Sequence, residues 1–147
     1  RIAVKVMSLL AIDPSHQESK IAFRRASRRG LVATTELLLN LGVDPSVGDN
    51  YAIRWASQNG HKEVVKLLLN LPSSRGVDPT ASDNEAIRRA SLHGHAQVVK
   101  MLIDLPLSRG VNPSAFDNDA IRCASLNGHA HVVKMLTDLP PSRGVFA

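Results

Sequence analysis

Asp49-Asn50-Tyr51-Ala52-Ile53-Arg54-Trp55-Ala56-Ser57 returns 34 residues later as Asp83-Asn84-Glu85-Ala86-Ile87-Arg88-Arg89-Ala90-Ser91. After 34 more it returns as Asp117-Asn118-Asp119-Ala120-Ile121-Arg122-Cys123-Ala124-Ser125. An earlier copy, Lys20-Ile21-Ala22-Phe23-Arg24-Arg25-Ala26-Ser27, lies only 30 residues before the first of these. The difference is a four-residue insert, Pro72-Ser73-Ser74-Arg75, which recurs as Pro106–Arg109 and Pro140–Arg143. Self-similarity at a fixed period of this length decides the architecture, because it marks an array of one supersecondary unit.

Each copy holds two helical segments. The first, as in 50–58, puts Ala52, Ile53, Ala56 and Ser57 on one face. Gly60 then interrupts the chain. The second segment turns Val64, Val65, Leu68 and Leu71 to one side and Lys62, Glu63, Lys66 and Asn70 to the other. Pro72 ends it, since proline has no N–H to continue the helix. A polar stretch, Gly76–Asp83, leads to the next first helix. Asp83 or Ser82 is placed to cap that helix, and Ser82 with Glu85 has capping-box spacing. The pattern predicts an all-α chain with helices near 2–11, 18–28, 32–41, 50–58, 62–71, 84–92, 96–105, 118–126 and 130–139, and almost no strand.

One such pair cannot hide its own apolar faces. A fully buried Leu or Ile is worth roughly 1.5–3 kcal/mol, but a lone helical hairpin leaves most of that surface wet. Stacking like units removes the deficit. Four full repeats are expected, at about 13–43, 44–77, 78–111 and 112–145, after a partial repeat at 2–12. The chain opens on Arg1 rather than Met, and Thr137 stands where the earlier copies have Leu69 and Ile103. The opening stretch, with Ile2, Val4, Val6, Met7 and Leu9, shows no such polar softening. A fragment of a longer array, with further repeats before it, is the expectation.

The period alone would also fit tetratricopeptide repeats. The helices are too short for that family, the connection between pairs is too long, and the period drops once. Gly60-His61, Gly94-His95 and Gly128-His129 are followed by Val64-Val65, Val98-Val99 and Val132-Val133, and then by Lys-x-Leu. This run resembles the ankyrin signature, and the Ala-Ser before each Gly resembles that family's Ala-Ala. The usual Thr-Pro-Leu-His block is replaced by Tyr51-Ala52-Ile53-Arg54 and its copies. The loop that forms the family's projecting β-hairpin finger is about three residues short, so a tighter turn is expected. The resemblance covers nearly the whole chain. It implies a curved α-solenoid whose first helices line the concave side and serve protein–protein recognition.

Composition agrees with such a chain. One Trp, one Tyr and three Phe leave the core to Leu, Val, Ile and Ala. No apolar run approaches the roughly 20 residues that span a bilayer. Ile2–Ile12 is interrupted by Lys5 and Ser8 and lacks a signal-peptide cleavage pattern. A single cysteine, Cys123, excludes an internal disulfide and a cysteine-based metal cluster, and fits an intracellular, cytoplasmic setting. The net charge of +5 favours an acidic partner without specifying nucleic acid.

Several residues invite a functional reading. Arg24, Arg54, Arg88 and Arg122 form a ladder, either a basic stripe for an acidic partner or arginines that bond carbonyls or loop acids such as Asp49 and Asp83. A residue that recurs unchanged in a repeat is usually architectural. Arg24, Arg25, Arg28 and Arg29 form a denser patch that the other repeats do not reproduce in full. Ser27 and Ser91 follow basic pairs as kinase sites do, yet fall on the core side of their helices. His61, His95 and His129 occur one per repeat, which suits a structural hydrogen bond better than a metal; His93 and His131 add only weak metal spacing. No catalytic constellation stands apart from the repeat, so no catalytic residue, cofactor or metal is assigned.

The binding surface is expected where the repeat varies. In the first helices the core positions recur, while three outward positions change: Ile21/Arg25/Arg28, Tyr51/Trp55/Gln58, Glu85/Arg89/Leu92 and Asp119/Cys123/Leu126. A varied stripe can encode a particular partner, and Tyr51 and Trp55, the chain's only Tyr and Trp, lie in it. Trp55 is read either as an interface anchor or as filler against the next repeat. The leading function is a protein-interaction module or scaffold. The alternative is electrostatic binding of a polyanion, either nucleic acid or an acidic membrane. Nucleic acid is disfavoured, because no groove-reading helix motif or stacked aromatics are evident.

Overall fold

The computed structural model describes residue 13 and residues 15–145, so the helix expected at 2–11 lies outside the described residues. Eight α-helices follow in chain order: α1 (Gln17–Arg29), α2 (Val32–Asn40), α3 (Val47–Gln58), α4 (Lys62–Leu69), α5 (Ala81–Leu92), α6 (Ala96–Ile103), α7 (Ala115–Leu126) and α8 (Ala130–Thr137). Single 3₁₀ turns occupy Ser73–Arg75, Leu107–Arg109 and Pro141–Arg143, within each recurring insert. There is no strand among the described residues.

Consecutive helices form antiparallel pairs, and the pairs stack. The odd-numbered helices make one layer and the even-numbered helices a second. Successive helices of the odd layer touch more extensively than those of the even layer, so the stack is tighter on that side. One continuous core runs between the layers. Phe23, Ile53, Ile87 and Ile121 enter it from the odd helices, and Val64, Val65, Leu68, Val98, Val99 and Leu102 enter it from the even ones.

The turn inside each pair needs glycine for two reasons. Gly30, Gly60 and Gly94 adopt φ of 74° to 75°, a left-handed backbone that side chains disfavour. The next pair's His61, His95 or His129 ring also lies 2.5 Å from where a Cβ would stand. Gly128 has the same backbone, φ 73°, but nothing within 4 Å of that point.

The entry to each odd helix corrects the sequence reading. Gly48-Asp49-Asn50, Ser82-Asp83-Asn84 and Phe116-Asp117-Asn118 are three successive left-handed residues, with φ between 54° and 66°. Such backbone costs roughly 1–2 kcal/mol per ordinary residue, less for Asn and Asp. Right-handed helix begins only after each triplet, and the expected side-chain caps do not form. Ser82 does not cap α5, and Glu85 does not close a capping box. The Ser82 hydroxyl instead donates to the Asp49 carboxylate, 2.6 Å away. Asn50 Oδ1 accepts the Asp78 N–H from the following loop at 2.8 Å, and Asn84 Oδ1 accepts that of Asn112 at 2.8 Å. These asparagines hold one pair to the next.

The even helices α4, α6 and α8 stop two residues short of the expected 71, 105 and 139. The residue before a proline is pushed out of helical backbone, and Pro72, Pro106 and Pro140 follow directly. Beyond them the insert has a structural use. Arg75 reaches back to the Leu39 and Val43 carbonyls, at 3.3 and 3.1 Å, and Arg143 does the same to Ile103 and Val111.

Candidate protein-binding face

The varied stripe lies on the open side of the odd helices. Ile21, Arg25, Arg28, Arg89 and Leu126 are exposed; Tyr51, Trp55, Gln58, Glu85, Leu92, Asp119 and Cys123 are half-buried; none belongs to the core. Tyr51 and Trp55, one turn apart on α3, place their rings 5.6 Å apart at 30°. The recurring Ala52, Ile53 and Ala56 point the other way and are fully buried.

The two acids of the stripe are already engaged by the arginine ladder. Glu85 accepts a bond from Arg54 at 3.1 Å, and Asp119 from Arg88 at 3.3 Å, each pairing one odd helix with the next. These arginines also hold the left-handed triplets. Arg54 donates to the Asp49 and Gly48 carbonyls, Arg88 to those of Asp83 and Ser82, and Arg122 to those of Asp117 and Phe116. The architectural reading of the ladder therefore holds for Arg54, Arg88 and Arg122. Asp49 and Asp83 meet these arginines through their main-chain oxygens; the carboxylate for Arg54 and Arg88 comes from the following pair, while Arg122 meets Asp119 of its own helix.

Arg24 is built differently. Among the described residues no left-handed triplet leads into α1, and Tyr51 stands where Glu85 and Asp119 stand in the later pairs. The Arg24 guanidinium lies 5.5 Å from the centre of the Tyr51 ring. Among the described residues no carboxylate pairs with Arg24, Arg25, Arg28, Arg29 or Arg89. Arg24, Arg25 and Arg28 converge with Ile21 and Tyr51 on a groove of about 300 Å³. Charge spacing in the sequence marks the patch but does not separate Arg24 from its copies. The signal was present: the position after Asp-Asn reads Tyr, Glu, Asp down the repeats.

The remaining candidates are structural. His129 Nε2 donates to the Leu92 carbonyl at 3.0 Å, across the junction between pairs. Burial lowers the pKa of His95, against a smaller opposing effect of the Gln58 backbone. Ser27, Ser57 and Ser91 are fully buried with unpartnered hydroxyls, which leaves Ser27 and Ser91 closed to a kinase. Burial, followed by the bond to Asp119, raises the pKa of Cys123, so its thiol is a poor nucleophile at neutral pH. Among the described residues no group of three or more His, Cys, Asp or Glu is placed to hold a metal ion. No described helix is long and apolar enough to cross a membrane.

A family model of ankyrin repeats matches residues 23–117, as three copies. The chain belongs to the ankyrin-repeat family. No curated protein matches it. Ankyrin repeats are in general protein–protein interaction modules and are typically not enzymes. In two of the three Gly-His pairs, Gly60-His61 and Gly94-His95, the glycine is the floor on which the next repeat's histidine packs.

Proposed function

We propose that this ankyrin-repeat chain is a non-catalytic interaction module that binds another protein along the open face of α1, α3, α5 and α7. One observation carries the reading. Within the odd helices the recurring Ala52, Ile53 and Ala56 and their copies in α5 and α7 are buried by stacking, whereas the varied Arg25, Arg28, Tyr51, Trp55, Arg89 and Leu126 stay at least partly accessible on one face. We take that face, the more closely packed layer, as the concave one. Its centre is Tyr51 with Trp55, flanked by Arg25, Arg28 and Arg89. Large aromatics and arginines of this kind most often dominate interfaces. The repeats at about 13–43, 44–77, 78–111 and 112–145 would act as one domain.

The test is capture of partners by the whole chain, compared between two sets of variants. Trp55→Ala and Arg89→Ala alter the face, while Lys62→Ala and Glu63→Ala alter the exposed start of α4. Loss of the same captured protein by the first set alone supports the reading. Equal capture by both sets refutes it. Salt separates the polyanion alternative, because binding to nucleic acid falls steeply with ionic strength and ignores sequence.

A further inference from the structure

We infer that the groove formed by Ile21, Arg24, Arg25, Arg28 and Tyr51 receives a carboxylate side chain from an acidic segment of the partner protein. The inference rests on the interaction-module reading and specifies the chemistry of that partner. It starts from the ladder. In the two later junctions the ladder arginine meets a carboxylate from the next odd helix, Arg54 with Glu85 and Arg88 with Asp119. In the first junction the same place holds Tyr51, and Arg24 has no carboxylate among the described residues. Residues 1–12, which precede them, contain no Asp or Glu.

A guanidinium offers five N–H donors, and carboxylates match its fork with two parallel bonds. The Tyr51 ring supports the cation without using those donors. Arg25 and Arg28, both exposed, extend the same positive surface one helical turn along α1. The walls favour a peptide over other anions. Ile21 is 40% exposed and offers apolar contact beside the charges. Among the described residues, the aromatic rings close together on this face are Tyr51 and Trp55, which stack on each other within one helix and form no run of platforms for successive bases. The chain thus completes two of its three arginine–carboxylate rungs internally and leaves the first to be completed by the partner.

The repeat also supplies its own test. Tyr51→Glu puts into the first junction the residue that the third pair already carries. It should close the rung from within and block the groove. The probe is a fluorescein-labelled 12-residue peptide of Glu, Asp, Leu and Gly, with its Gln/Asn counterpart and a 12-nucleotide oligothymidylate as comparisons, read by fluorescence anisotropy on the whole chain. The acidic peptide should bind at least about tenfold tighter than its amide counterpart, as charged hydrogen bonds imply. Tyr51→Glu should weaken it at least about tenfold while raising the thermal midpoint by about 2–4 °C. Peptide affinity within about twofold of the unmutated chain in a folded Tyr51→Glu variant overturns the inference, as does oligothymidylate binding as tightly as the peptide. Should Tyr51→Glu not fold, Arg25→Gln/Arg28→Gln decides in the same way, since both side chains are exposed. The wider reading can fail separately: capture that survives Trp55→Ala and Arg89→Ala would defeat it without bearing on a defined peptide at Arg24.

Discussion

The junction between the first two helix pairs and the two junctions after it share some devices and differ in others. All three pack a histidine of one pair onto a glycine of the pair before: His61 on Gly30, His95 on Gly60, His129 on Gly94. Only the later two add an asparagine that accepts a loop N–H and an arginine that pairs with a carboxylate. In the first junction those positions hold Lys20 and Tyr51, and Arg24 faces a ring rather than an acid. The shared set maintains the stack. The set that varies shows where the stack can give up a contact, and there the freed groups face the open side.

The largest effects should come from the shared device. Gly30→Ala and Gly94→Ala should each cost roughly 2–4 kcal/mol, combining about 1–2 for alanine in left-handed backbone with overpacking against the histidine ring. Gly128→Ala, with the same backbone and open space above it, should cost only the first part. Urea unfolding of the three variants checks this, and equal losses at Gly94 and Gly128 would remove the histidine from the account.

The next effect separates the junctions. Arg88→Ala breaks two carbonyl bonds and leaves Asp119 with weaker pairing, so it should cost about 2 kcal/mol. Arg24→Ala forfeits only a cation–π contact and should cost about 0.5–1 kcal/mol. Thermal denaturation measures both, and equal losses would erase the distinction between the first junction and the others.

Smaller changes follow inside the odd helices. Ser57→Ala and Ser91→Ala each remove a buried hydroxyl without a partner, and each should gain about 1 kcal/mol. A loss of stability there would mean that the hydroxyls are paired. The smallest effect is a dependence on pH. Burial holds the pKa of His95 below 6.5, so the unfolded chain takes up its proton first as pH falls. The stability that His95 contributes is complete above pH 6.5 and is lost as pH drops from there through the lowered value. His95→Gln should flatten the stability–pH profile over that window.

Much of this molecule was legible in the sequence, because the stacking contacts repeat and each repeat is a local pattern. The faces of Ile53 and Val65, the glycine turns and the outward position of Trp55 all follow from helical spacing. The left-handed triplets did not follow. Asp-Asn before a helix suggests a cap as readily as a turn, and Phe116, 62% exposed with φ 60°, contradicts what a bulky side chain prefers. Arginines reaching the triplet carbonyls hold that backbone, joined in the first two triplets by an asparagine bond made 28 residues onward, and no local window contains both. The engagement of Glu85 and Asp119 was hidden for the same reason, since their partners lie 31 residues earlier on the preceding odd helix.

The central claim is that the varied face binds a partner while the recurring face holds the fold. It is tested most directly at Trp55, by measuring partner affinity and thermal stability of Trp55→Ala side by side. An interface anchor predicts binding weakened by roughly 2 kcal/mol or more with stability nearly unchanged. A stability loss of roughly 3–5 kcal/mol, the range for truncating a core aromatic, would place Trp55 in the core and contradict the account.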